Sequence, residues 1–500
     1  MAYLIGIDIG TTGVKTLMID EVGSIIANSF VSYPTYTPKP NWVEQYPQNW
    51  YDATIKTLSE VVMKSRVHPQ DIKGIGFSGQ MHGLVLLDKD DKVLRPAILW
   101  CDTRTAKEAQ WITQTVGNEK LKEWVSNAAF EGFTAPKIVW IRENEPQVYS
   151  RINKILLPKD YVRFRLSGEC TTEVSDASGT LLFDVKRRQW AHNILEAIGI
   201  PGSFLPNCYE SIDICGYVSE EAAKLTGINE GTPVVSGGSD NACGAVGVSI
   251  VKNGRVMASI GTSGVVLTHT ETPIVDPKMR LHTFCHSVPN KWYLMGVMLS
   301  AGGALRWFKD ILGVNSYELL EKEAKSATAG SDGLIFLPYL MGERTPHKNA
   351  NAKGVFFGLT IRHRRAHLVR SIMEGVAYGM RDSLEIMKGL GVQINQIRIT
   401  GGGAKSTFWA QIQADVYGTE VVTVNIYEGA AFGAALLAGV GTGIFESIEQ
   451  ATDNIVCVTA HVEPIPKNVA MYNEYYEIYK SLYPKLKENF GEISGKLIYL

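Results

Sequence analysis

Ile7-Asp8-Ile9-Gly10-Thr11-Thr12-Gly13-Val14 lies between two apolar runs near the start of the chain, and its pattern returns as Ser259-Ile260-Gly261-Thr262-Ser263-Gly264-Val265. In both stretches a strand-like run enters a Gly-Thr-(Thr/Ser)-Gly turn and a β-branched run leaves it, which predicts a hairpin. The glycines leave the backbone bare and the hydroxyls sit between them. Such a turn can aim N–H and O–H donors at one anionic group, because no bulky side chain blocks the approach. Two copies, one in each half of the chain, point to two related domains closing on one phosphate chain from both sides.

Length and composition agree with that division. Five hundred residues exceed a single core and suit two domains of about 250 residues. With 49 basic against 51 acidic residues, the net charge of −2 provides no long-range attraction to nucleic acid or anionic membrane, so a small molecule is the expected partner. Seven cysteines without a Cys-x-x-Cys pair argue against a disulfide framework or structural zinc and for a reducing, cytoplasmic setting. The N-terminus reaches Asp8 too soon for a signal-peptide core. The longest uncharged stretch, Gly429 to Phe445, is rich in Gly and Ala and reads as a buried helix packed closely on a sheet rather than a membrane span.

Hydrophobic patterning predicts strands at Tyr3–Ile9, Val14–Asp20, Ser24–Tyr33, Ile72–Ser78 and Leu84–Asp88, and a helix near Pro47–Lys64. Further on it predicts a small-residue helix over Ala242–Ile250, a repeated hairpin within Arg255–Leu267, and a strand at Ile397–Thr400. That strand runs into Gly401-Gly402-Gly403-Ala404, which opens a helix over Thr407–Tyr417, and a last small-residue helix starts at Ala430. Tyr472, Tyr475, Tyr476, Tyr479 and Tyr483 fall on one helical face and read as core packing. The mixture of strands and helices, with sheet-like starts to both halves, predicts a duplicated α/β fold.

A few residues stand out chemically. Asp8 ends an apolar strand just before the first turn, where a carboxylate needs a cation or a donor; it reads as a ligand for nucleotide magnesium or as a turn cap. Lys15 lacks the spacing of a phosphate-binding P-loop lysine and reads as solvated or structural. Asp240 and Asn241 follow Gly237-Gly238-Ser239 and precede a helix. Asp240 there is either a helix cap or a base accepting the proton of an alcohol as it attacks phosphorus. His82, in Gly79-Gln80-Met81-His82-Gly83, can bond a sugar hydroxyl or cap a turn. The glycines at 401–403 would let a flat adenine ring rest on bare backbone.

Longer segments carry a resemblance. Gly132-Phe133-Thr134-Ala135-Pro136-Lys137-Ile138-Val139-Trp140-Ile141, Gly354-Val355-Phe356-Phe357-Gly358-Leu359 and His367-Leu368-Val369-Arg370-Ser371-Ile372-Met373-Glu374 are similar to the two signatures of the FGGY carbohydrate kinases. Those are members of the actin-like, ribonuclease H-like ATPase superfamily, and the resemblance covers nearly the whole chain. Within the family it is closest to the branch that phosphorylates D-xylulose, through Gly79–Gly83, Leu156-Leu157-Pro158-Lys159-Asp160-Tyr161, Gly238–Asn241 and Gly342-Glu343-Arg344-Thr345-Pro346-His347. Cys101, where related kinases often carry Asn, and Ser239, where Gly or Ala is common, depart from the pattern.

The resemblance implies two actin-like α/β domains with a cleft between them, residues 1–246 holding the sugar and 247–500 the nucleotide. It implies ATP and Mg²⁺, with Asp240 as proton acceptor and Asp8 beside the metal, directly or through water. Met81, His82, Asp240 and Asn241 would contact the sugar. Thr11, Thr12, Gly261, Thr262, Ser263, Gly402, Gly403 and Ala404 would contact the nucleotide. A homodimer is compatible with it. The competing expectations are a kinase for another ketose, polyol or sugar acid, such as ribulose or gluconate, and a non-enzymatic actin-like ATPase.

Overall fold

The computed structural model describes residues 1–497. Its core is two mixed seven-stranded sheets. The first runs in the order Ile214–Tyr217, Pro233–Val235, Ile72–Gly79, Tyr3–Ile9, Gly13–Asp20, Ile25–Ser32, with the short strand Gly238–Ser239 also paired to Ile72–Gly79. The second runs His282–Cys285, Trp292–Met298, Gly264–Thr270, Gly254–Ile260, Ile394–Gly401, Val421–Val424, Val458–Val462. In each sheet the strand that opens the hairpin is antiparallel to its hairpin partner and parallel to a later strand, Ile72–Gly79 or Ile394–Gly401. The duplication expected from the two turns is thus present at the level of strand order. Tyr3–Ile9 is covered on both faces, with Leu4, Ile5, Ile7 and Ile9 all fully buried, as the near-continuous apolar run requires.

The two hairpins are not the same length. Gly10 N–H donates to Gly13 O (3.1 Å) with Ile9 opposite Val14, whereas Gly261 N–H donates to Ser263 O (3.0 Å) with Ile260 opposite Gly264. The second turn is one residue tighter. Aligning the two sequences matches Lys15 with Val266, but cross-strand pairing sets Asp8 opposite Lys15 and Ser259 opposite Val265.

Two of the element boundaries that differ from the sequence expectation bear on the site. The helix expected over Ala242–Ile250 forms at Asp240–Gly247, because Ser239 supplies the cap and its Oγ accepts from Ala242 N–H (3.4 Å). Gly401–Ala404 does not open a helix directly. Gly401 takes φ +74° and a short 3₁₀ turn, Gly402–Lys405, intervenes before the helix Thr407–Tyr417, which Ser406 caps. The tyrosine face is core, as expected: Tyr472, Tyr476 and Tyr479 are buried within the helix Pro466–Leu497. Tyr472 donates to Glu374, which also takes Arg370, Gly330 N–H and Ser331 Oγ. Arg370 and Glu374 of the second signature are therefore spent inside the second half.

The helix Gly429–Gly441 joins the halves. It belongs to the second half of the sequence yet lies on the first sheet, where a Cβ on Gly6 would sit 1.9 Å from Ala431 O and one on Gly76 1.9 Å from Ala434 O. On its other side a Cβ on Gly433 would sit 1.9 Å from Cys243 O, in the helix Asp240–Gly247. Sheet and two helices touch backbone to backbone, which accounts for the Gly/Ala composition. Among the described residues no helix is long and apolar enough to cross a membrane.

Gly76→Ala should therefore overpack this joint and lower the unfolding free energy by about 3 kcal/mol or more, measured by urea denaturation. Gly389→Ala, where an added Cβ meets nothing within 4 Å, should leave stability unchanged or slightly raised; equal effects of the two changes would refute the packing argument.

Candidate active site

Three neighbouring strand ends bring two carboxylates together. Asp8 pairs in parallel register with Ser78, and Gly238 pairs with Ser78 from the other side. Asp240, the first residue of its helix, therefore emerges beside the strand that carries Asp8's hydrogen-bond donor. Ser78 Oγ donates to Asp8 Oδ1 (2.8 Å). Asn241 donates to Asp240 Oδ1 through both its N–H (2.7 Å) and its Nδ2 (2.9 Å). Neither aspartate caps its turn or helix; Ser239 does the capping. Both line a cleft of about 340 Å³ whose far wall is Ser259, Val265, Thr400 and Gly401 of the second half.

Electrostatics there favour protons. Burial raises the Asp240 carboxyl to about 7, and the charge of Asp8 adds to this against the lowering effect of the Asn241 bonds. Burial raises Asp8 to about 6; the Ser78 bond opposes it and the charge of Glu428 assists. Lys15, opposite Asp8 in the hairpin, is turned to Glu428 at 2.9 Å, at the start of the joining helix. Lys15 is thus structural in this state, as its spacing suggested.

A polar network holds the first turn from behind. Gln45 Nε2 donates to Thr11 O (2.7 Å), Trp50 Nε1 to Gln45 Oε1 (2.9 Å), and Tyr33 OH to Gly10 O. Thr11 Oγ1 accepts from Trp100 Nε1 (2.9 Å) and donates to Gln80 Oε1 (3.3 Å). The Thr11 hydroxyl is therefore committed to the protein, and the turn is left with backbone N–H groups other than that of Gly10 and with the exposed Thr12 as donors to a ligand.

His82 is set with equal care. It holds φ +67°, an uncommon backbone state for a non-glycine residue. Its carbonyl accepts from Lys137 Nζ (2.9 Å) and Thr134 Oγ1 (3.2 Å), both in the first signature. Lys137 is fully buried and also donates to Gly132 O (2.9 Å); burial lowers its ammonium to about 7. The imidazole stacks on Phe133 (4.6 Å) and its Nδ1 meets Gly179 O at 2.6 Å. A carbonyl only accepts, so Nδ1 carries the proton and Nε2 is an acceptor. Burial, followed by the field of Lys137, keeps the ring neutral. Met81 Sδ lies 3.8 Å from Asn241 Nδ2, linking the His82 loop to Asp240.

Beneath Asp240 lies a charge cluster to which the sequence motifs assigned no role. Lys159 Nζ meets Asp160 (2.8 Å), Asp176 (3.0 Å) and Glu173 (3.3 Å), and Arg163 meets Asp160 (3.2 Å), all fully buried. Burial holds Asp176 well above the ordinary carboxylate range, so a protonated Asp176 leaves two cations facing two anions. Glu173 takes Ser175 Oγ–H (3.0 Å), and Ser175 Oγ takes Ser239 N–H (2.9 Å). The cluster thereby fixes the corner from which Asp240 projects. The cue in the sequence was an uncommon density of charge, Lys159, Asp160, Arg163, Glu173 and Asp176, between apolar neighbours.

A second cavity, about 540 Å³, opens at the other hairpin. Gly261 and Thr262 meet Gly402 and Gly403 there, with Gly302, Gly303, Arg306, Tyr317 and Trp409 completing the walls. A Cβ on Gly403 would stand 2.7 Å from Ile260 Cβ, so bare backbone is required at that point. Ser263 and Ala404 are not on its lining, nor are Thr11 and Thr12. Of the residues expected to hold nucleotide, Gly261, Thr262, Gly402 and Gly403 come together. The walls at Gly302 and Gly303 had no signal beyond two glycines.

Comparison with known proteins places this geometry. Residues 3–247 match the N-terminal domain and residues 256–442 the C-terminal domain of the FGGY family of carbohydrate kinases. Xylulose kinase of Bacillus subtilis is 42% identical over 98% of both chains, and gluconokinase of the same organism is 32% identical over 99% of this chain and 98% of its own. A crystal structure of a kinase from Brucella ovis, described as a xyloylose kinase, superposes with a TM-score of 0.91 at 36% identity, over 97% of this chain and 99% of that one. The fold and site define a two-domain actin-like sugar kinase, and the chain belongs to the FGGY family of carbohydrate kinases. As such it uses ATP to phosphorylate a sugar.

Lys137→Met should loosen the His82 loop, because the buried Gly132 carbonyl loses the Lys137 donor and the His82 carbonyl keeps only Thr134. The expected result is about a tenfold rise in KM for the sugar with KM for ATP within about twofold, read from initial rates. Unchanged sugar kinetics would show that the loop does not depend on Lys137.

Proposed function

We propose that the protein transfers the γ-phosphoryl group of ATP to the C5 hydroxyl of D-xylulose, giving D-xylulose 5-phosphate and ADP. What carries the chemical part of this reading is Asp240. Its carboxyl sits in the cleft facing the second half, has Oδ1 occupied by Asn241, and has a proton affinity near 7. A base of that strength can take a proton from an alcohol during attack and release it at working pH. The near full-length likeness to xylulose kinases supports the choice of acceptor.

In this reading residues 1–246 hold the sugar, with Met81, His82 and Asn241 beside Asp240, and residues 247–500 hold ATP in the cavity of Gly261, Thr262, Gly402 and Gly403. Asp240 accepts the C5 hydroxyl proton as that oxygen bonds to phosphorus and the bond from phosphorus to the ADP oxygen breaks. The proton ends on Asp240. Backbone N–H groups of the two turns stabilise the phosphate oxygens, and closure of the cleft keeps out water that would otherwise consume ATP. Phosphoryl transfer has a loose transition state, so the protein contributes mainly position and charge.

Magnesium fits the donor set. Asp8 offers one oxygen bound by Ser78 and a second with no hydrogen-bond partner among the described residues. Nucleotide magnesium keeps several waters and needs only one or two carboxylates, in keeping with the lack of a three-ligand cluster among the described residues. Asp8 would hold the ion, directly or through water, and the ion would neutralise developing phosphate charge.

Asp240→Ala should lower turnover at least about 100-fold with the fold intact by circular dichroism, assayed by ADP release over a panel of ketoses, polyols and sugar acids. D-xylulose should give the highest kcat/KM with the unaltered protein. A near-normal rate in the variant would remove Asp240 from the mechanism, and a preference for gluconate would replace the acceptor.

A further inference from the structure

One cation from the second half of the chain stands against the first signature, beside the His82 loop. Arg344 lies in the loop Glu343–Asn349, and its Nη2 is 3.6 Å from where a Gly132 Cβ would stand. Its guanidinium carbon is 5.6 Å from the centre of the Phe130 ring, and its field acts on both His82 and His282. Gly132 is confined by Trp100 O, 2.6 Å from the same Cβ position, so no side chain can grow there and the space belongs to Arg344.

The state of this arginine is unlike that of its neighbours. Arg104 is bound to Asp102 and Glu44, and Arg163 to Asp160, Thr171 and Ser236. Among the described residues Arg344 makes no ion pair, and its side chain donates no hydrogen bond within the protein. A guanidinium has five donors in a fixed fork. Holding it half-buried beside the Phe130 ring without a partner is costly unless something else enters to accept those donors.

We propose that Arg344 is a specificity-determining residue for the sugar, its fork donating to the C1 hydroxyl and C2 carbonyl oxygens of the ketose. This rests on the D-xylulose reading above. Asp240 takes the C5 end; Asn241 and Met81 lie next to it, His82 follows Met81, and Arg344 stands beyond His82 against Gly132. The end of the sugar farthest from the transferred phosphate is therefore the end that meets the guanidinium. Two adjacent oxygens, one a carbonyl, match a planar fork better than a single hydroxyl does.

The loop also connects this contact to the nucleotide side. Glu343 Oε1 accepts from Arg344 N–H (2.7 Å) and from Leu299 N–H (3.1 Å), and Thr345 and Val297 exchange bonds of 2.9 and 3.1 Å. Two residues beyond Leu299, Ala301 N–H donates to Thr262 O (3.0 Å). Arg344 and the second turn are thus linked through one hydrogen-bonded segment.

The test compares the unaltered protein, Arg344→Gln and Arg344→Lys on D-xylulose and on 1-deoxy-D-xylulose, which lacks the C1 hydroxyl, with KM for ATP measured alongside. Arg344→Gln should raise KM for D-xylulose at least about tenfold and lower kcat/KM about 100-fold, while losing about tenfold less on the deoxy sugar and leaving KM for ATP within about twofold. Arg344→Lys, which keeps the charge and loses the fork, should fall between. Equal losses on the two sugars, or D-xylulose kinetics unchanged in Arg344→Gln, overturn the assignment alone. An unaltered protein that ignores D-xylulose and phosphorylates a sugar acid overturns it together with the substrate reading.

Discussion

Two carboxylates share one cleft, and most of the site exists to keep them there. Asp8 and Asp240 leave adjacent elements of the first sheet, and the charge of Asp8 adds to the proton affinity that burial already confers on Asp240. Like charges in low dielectric separate unless the frame is stiff. Burial together with the Asp8 charge suits the chemistry. It holds Asp240 near neutrality as a base, and it makes the cleft a place where a cation accompanying the triphosphate is welcome.

The stiffness has identifiable sources. Lys159 and its three carboxylates, coupled through Glu173, Ser175 and Ser239, anchor the corner before Asp240. Gln45, Trp50, Trp100 and Tyr33 brace the turn after Asp8. The joining helix presses backbone against both the first sheet and the helix of Asp240, so the joint between the halves is itself a glycine contact. The Lys15–Glu428 pair spans that joint within reach of Asp8's field.

Local pattern made much of this legible. The hairpins were readable because glycine and hydroxyl residues between two β-branched runs favour a tight reversal of the chain over continued strand or helix. The small-residue helix was readable because its composition demands close packing. Composition could not say which sheet that helix covers, since its partners Gly6 and Gly76 lie more than 350 residues earlier in the chain. The one-residue difference between the hairpins was hidden because a turn's register depends on how the second sheet pairs. Ser263 and Ala404 came with the hairpin and the glycine turn through the family resemblance, and neither lines the cavity at the second hairpin. The helix start was misjudged by two residues because Asp240 and Ser239 are both good caps and only the fold chooses between them. The role of Lys137 was invisible inside a motif valued for its order, since nothing in the motif says that its ammonium ends on the carbonyl of His82.

The coupling of the two aspartates can be measured directly by following the Asp240 carboxyl resonance through a pH titration of ¹³C-aspartate-labelled protein, with and without Asp8→Asn. With Asp8 present the carboxyl should titrate near 7. Removing the Asp8 charge makes ionised Asp240 easier to form, so the midpoint should move down in Asp8→Asn. An Asp240 that titrates near 4, as a free aspartate does, in both proteins would contradict the account.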